Sequence, residues 1–174
     1  MTLLLGAALL LAAVFVPWMT IYVWYYSGVL TPFVWSPFDI LWNALVSVFP
    51  HAPAVNAWFI SRASPLVICS ALYLGAALAI AGFAIPLIRG DVRQTSVEPA
   101  TWPLLVIAGL AGFLTLLVWG VVPFLYEIAD GSNVDVRPFE GTGAIGIALA
   151  LAGATLAFAS LFGIATTAHG RRQG

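Results

Sequence analysis

Few side chains in this chain could do chemistry, and their placement argues against most of what they could do. The only histidines are His51 and His169, and the only cysteine is Cys69. Axial haem ligation needs such groups inside a membrane span. His51 falls in an outer segment and His169 beyond the last apolar run, on opposite faces, so one haem cannot use both. Cys69 lies inside an apolar run, where it reads as a small buried hydrophobe, and a lone cysteine excludes an intrachain disulfide. Histidine and cysteine are too few for zinc. Asp130-Gly-Ser-Asn133-Val-Asp135, with Glu140 nearby, places oxygen ligands at alternating positions, as a calcium loop does. The EF-hand order and its glycine are missing, and a solvated turn is the plainer reading.

Proton or ion transport calls for an ionisable residue within a span. Glu127 comes nearest, at the outer end of the third apolar run. It reads as a carboxylate at headgroup level or as the ion-pair partner of Arg62 or Arg137, with a gate or proton acceptor as the sharper alternative. Asp39, His51 and Ser61 share one outer segment, as a loop of that size does by chance. No G-x-S-x-G, H-E-x-x-H or phosphate-cradling glycine loop occurs. The expectation is a protein that is not an enzyme, with no cofactor and no metal.

The elements that would position these residues are mostly apolar. The chain has 174 residues, 62% hydrophobic and 7% charged, against about 25% charged in a soluble domain. That balance excludes an ordinary soluble fold, and a net charge of −1 offers no basic patch for nucleic acid. Four long apolar runs predict an all-α integral membrane protein, a four-transmembrane-helix bundle forming a single membrane domain over residues 1–174. The expected spans are about 2–26, 65–88, 102–127 and 143–168, with outer loops 27–64 and 128–142 and a cytoplasmic loop 89–101. The N-terminal run lacks a positive flank and exceeds a signal h-region, so it reads as a retained span.

Pro17 should kink the first span in its outer third. Val16-Pro17-Trp18 is echoed by Val122-Pro123-Phe124 in the third. Ser36-Pro37-Phe38-Asp39 reads as a helix start, with Ser36 as N-cap and Asp39 at the capping-box position. It would open a short amphipathic helix that Pro50 stops, and a second short helix would follow over 53–62. Ser64-Pro65 then reads as the cap and first turn of the second span. Small residues form stripes suited to close helix packing: Ala71, Gly75 and Ala79 on the second span, and Gly146, Ala150 and Ala154 on the fourth. Around the first outer loop, Trp18, Trp24, Trp35, Trp42, Trp58 and Phe59 form an aromatic collar suited to partner protein or lipid.

All six basic residues are arginines. Arg89, Arg93, Arg171 and Arg172 fall on one side, Arg62 and Arg137 on the other. With carboxylates counted, the first side nets +2 and the second −3. The positive-inside rule puts both termini in the cytoplasm of a multi-pass plasma-membrane protein.

Four spans, internal termini, a longer first outer loop and a shorter second give a layout that resembles claudin-type tetraspan proteins. The claudin first loop carries a Trp-Leu-Trp signature with two cysteines. This outer segment has no cysteine and spaces Trp35 and Trp42 differently, so the resemblance is one of topology and carries over no functional residue.

Ligand poverty, ion-free spans and an apolar outer segment lead to the expected function: an accessory or scaffold subunit of a larger prokaryotic membrane complex, such as a respiratory one. Its partners would be other membrane subunits and lipids. A claudin-like surface or cell-contact protein is one alternative. A small channel or carrier for a neutral or lipid-like solute, hinged at Pro17 and Pro123, is the other.

Overall fold

A computed structural model describes residues 1–24, 30–48, 53–89, 94–120, 134–137 and 143–170. Helices dominate these residues, in the order α1 (Thr2–Phe15), β1 (Met19–Trp24), β2 (Leu30–Trp35), α2 (Pro37–Val48), α3 (Pro53–Arg89), α4 (Gln94–Gly120), β3 (Val134–Arg137) and α5 (Gly143–Gly170). Among the described residues, three segments are long and apolar enough to cross a membrane: Pro65–Leu87, Ala100–Val118 and Ile145–Thr167. All three are free of charged residues, which is compatible with a membrane location.

The first apolar run corrects one expectation. It does not form a helix over 2–26, and a small three-stranded sheet joins the otherwise helical chain. α1 stops at Phe15 after 14 residues, a length of about 21 Å against a hydrocarbon core of ~30 Å. Val16 turns to extended backbone, at φ −92° and ψ 138°, as a residue before proline is driven to do. Pro17 offers no N–H to continue the ladder. It therefore ends the helix where the sequence suggested a kink. The following Met-Thr-Ile-Tyr-Val-Trp is rich in β-branched and aromatic residues and runs on as a strand. Apolar content alone had concealed that change.

β1 is the central strand of an antiparallel sheet of order β2-β1-β3. Tyr22 lies opposite Pro32 on β2 and opposite Asp135 on β3. Pro32 occupies an edge strand, where a missing donor is tolerated. The second outer segment, expected as loop, thus supplies a strand, and both outer segments join in one sheet.

α2 begins as the sequence suggests. Ser36 N and Oγ both donate to Asp39 Oδ2, at 2.9 and 2.7 Å, while Asp39 N donates to Ser36 Oγ at 3.1 Å. This reciprocal box satisfies donors that the first turn leaves open. Ser36→Ala is expected to cost about 1 kcal/mol. The measurement is amide exchange, faster across α2 than in wild type and unchanged in α5.

No separate helix ends at Arg62. α3 is continuous for 37 residues, with Pro65 and Pro86 inside it, and measures about 55 Å. Ser64-Pro65 is therefore interior and caps nothing. Proline in a spanning helix is tolerated where surrounding groups re-satisfy the freed carbonyl, and the apolar run that packs on the bundle outweighs a local stop signal. α4 starts earlier than expected, and residues 121–133, with Pro123 and Glu127, lie outside the described residues. α5 coincides closely with the expected fourth span.

α1 and α4 each pack against both α3 and α5, which closes a four-helix ring. α1 and α5 run antiparallel. Ser160 Oγ donates to Thr2 Oγ1 at 2.9 Å near one end, and Gly146 meets Pro17 at the other. The core is built largely from alanine, with Leu10, Ile80 and Leu161 fully buried among Ala77, Ala111 and Ala150. Cys69 is buried there as a free thiol. The buried Thr115 hydroxyl donates to Ala111 O at 2.8 Å. No buried side-chain polar atom among the described residues lacks a partner.

Candidate interaction surface

The expected site residues separate into a buried joint, an outward helix face and an aromatic surface. The joint forms where α1 gives way to β1. Pro17 leaves Ala13 O without its usual helical donor, and the Trp18 indole Nε1 donates to that oxygen at 2.8 Å. The Trp18 ring stands edge-on to Tyr73, with centroids 4.8 Å apart, and the Tyr73 hydroxyl donates to Leu10 O at 3.1 Å. Trp18 N donates to Trp35 O at 2.9 Å. Trp18 is only 3% exposed, so it is a core residue and not part of a collar open to lipid or partner. Trp35 is half-buried. Trp42 is well exposed on α2. The side chains of Trp24, Trp58, Phe59, Arg62 and Arg137 lie outside the described part, as does Glu127, so the expected ion pair does too.

The two small-residue stripes have different fates. Gly146, Ala150 and Ala154 are buried inside the bundle, where Gly146 accommodates the Pro17 backbone. Gly75 is exposed and Ala79 half-buried, with Ala71 exposed beside them. A Cβ placed on Gly75 or Gly82 would meet nothing within 4 Å. The α3 stripe therefore faces outward. Ile68, Ala71, Gly75, Leu78, Gly82 and Ile85 are all exposed, at alternating spacings of three and four. That is the a/d spacing of a left-handed helix pair, with large side chains as knobs and small ones as holes.

Between α4 and α5 lies an apolar cleft of about 470 Å³, lined by Gly109, Gly112, Phe113, Ala154, Thr155 and Phe158 among others. Thr155 Oγ1 donates to Leu151 O at 2.8 Å, so its one proton is committed to its own helix.

Sequence reading missed Gly6, Gly153 and Tyr73. Gly6 and Gly153 let two backbones approach, and a Cβ on Gly6 would lie 2.8 Å from Ala157 N. The available signal was the single glycine of the first apolar run and one of several in the fourth, which does not name a partner. Among the described residues no cluster of histidine, cysteine and carboxylates could hold a metal. Asp135 sits on β3, while Asp130, Asn133, Glu140 and His51 fall outside the described residues. No protein-family model, curated protein or solved structure matches the chain.

Proposed function

We propose that the chain is a non-catalytic accessory or scaffold subunit of a larger membrane complex, multi-pass in the plasma membrane with both termini cytoplasmic. It docks a partner's transmembrane helix along the outward a/d face of α3. One observation carries the reading: Gly75 and Gly82 are open to a neighbour, so a second helix can approach to backbone contact. In lipid, helices associate through close van der Waals packing because burial of apolar surface offers no net gain, and this face provides the required relief.

The test is native mass spectrometry after mild extraction from the source membrane. Wild type should carry a stoichiometric partner chain. Gly75→Ile together with Gly82→Ile should lose it while keeping the thermal stability of the protomer. A lone wild-type protomer, or a variant that retains its partner, would overturn the proposal.

A second reading, a tetraspan-like surface-contact protein, has its own support in the β2-β1-β3 sheet, which unites both outer segments in one platform.

A further inference from the structure

α2 carries three faces. Ile40 is buried and Ala44 half-buried toward the bundle, where α2 rests chiefly on α3 and also on α1. Asp39 and Asn43 lie four residues apart and so share a second, narrow polar face. Phe38, Trp42, Leu45 and Val46 form a third, with exposures of 42%, 56%, 55% and 51%. A helix facing water on its whole free side would not spend its largest apolar residues there.

The exposed apolar face does not stop at α2. Phe38 stacks on Trp42, with centroids 6.3 Å apart, and lies 5.2 Å from Phe15. Phe15 is the last residue of α1 and is 64% exposed. The outward surface of α1, with Leu4 and Leu5 also exposed, thus runs without interruption through Phe15 and Phe38 onto Trp42. That continuity selects the occupant. Whatever solvates the apolar outside of α1 solvates the same face of α2, and for an apolar helix packed beside spanning helices that solvent is lipid.

We infer that α2 lies in the headgroup–acyl boundary of the leaflet on the sheet side. Phe38, Trp42, Leu45 and Val46 face the acyl chains, and Asp39 and Asn43 face water. The partner is thus a phospholipid surface. Aromatic and aliphatic side chains on one face with a polar strip on another match an interfacial helix, and tryptophan favours that depth. This inference goes beyond partner docking at α3 and does not require it.

The test uses the full chain with Cys69→Ala, reconstituted in phosphatidylcholine vesicles. Leu45→Cys, Val46→Cys, Asn43→Cys and, on the outward face of α3, Leu72→Cys carry nitroxide labels. Collision of each label with oxygen, which partitions into lipid, is compared with collision with an aqueous nickel chelate. At positions 45, 46 and 72 oxygen should exceed the chelate severalfold, with the order reversed at 43. Chelate access at 45 and 46 overturns the inference, as does shielding of both positions from both reagents, which would mean a protein cover. Should labelling disturb α2, the unlabelled protein offers a second readout. Shallow brominated lipids should quench wild-type tryptophan fluorescence more than that of Trp42→Phe, and equal quenching would overturn the inference.

Discussion

Gly146→Ala is expected to destabilise the bundle by about 3 kcal/mol or more, the upper range of overpacking. The added methyl would collide with Pro17 O and lie 2.6 Å from Trp18 Cδ1 and 2.9 Å from the Pro17 carbonyl carbon. Most of these are backbone atoms at the exit from α1, which cannot rotate away as a flexible side chain can. Gly6→Ala and Gly153→Ala follow with a net cost of about 1–2 kcal/mol. Each new methyl would sit 2.8 Å from a backbone nitrogen of the opposite helix, and improved helix propensity of about 1 kcal/mol offsets part of the strain. Gly75→Ala tests the sign. With nothing within 4 Å of its Cβ, only the propensity gain remains, so the protomer should be unchanged or up to about 1 kcal/mol more stable. The measurement is reversible unfolding in mixed detergent micelles. Equal losses at Gly6 and Gly75 would show that α1 does not pack on α5 as described.

That contrast also shows what the residues announced and what they withheld. The α5 stripe of Gly146, Ala150 and Ala154 was legible because small residues four apart in an apolar run must share a face. The same logic cannot say whether such a face turns inward or outward, and so could not separate it from Ala71–Gly75–Ala79. Direction depends on which other helices are near, and in lipid both sides of a helix are equally apolar. The Ser36–Asp39 cap was legible because its chemistry is complete within four residues. Trp18 was misplaced for the opposite reason. Its partners, Ala13 O, Tyr73 and Gly146, include two that lie far away in sequence, and a run of aromatic residues near a membrane boundary reads as a belt whatever its contacts. The strand after Pro17 was visible in Thr20, Ile21 and Val23 but was outvoted by hydropathy, which does not distinguish an apolar strand from the end of a span.

Trp18→Ala should cost about 3–5 kcal/mol, the range for emptying a buried aromatic site. Three elements depend on that ring: it completes the end of α1 at Ala13 O, packs edge-on against Tyr73 of α3, and lies against Gly146 of α5. Trp18→Phe separates the contributions. It keeps most of the ring volume but strands Ala13 O in apolar surroundings, which costs about 1–3 kcal/mol. Tyr73→Phe should lose less, about 1 kcal/mol at most, because it removes only a second bond to a carbonyl of a formed helix. A double-mutant cycle between positions 18 and 73 should show coupling, since the two rings are in contact. Location matters as much as magnitude. Trp18 adjoins the first residue of β1, so Trp18→Ala should speed amide exchange in Met19–Trp24 more than in α4. A loss spread evenly over the bundle would mean that Trp18 is ordinary core. Loss concentrated in β1 would make the ring the joint through which the helices hold the sheet, and hence both outer segments, in place.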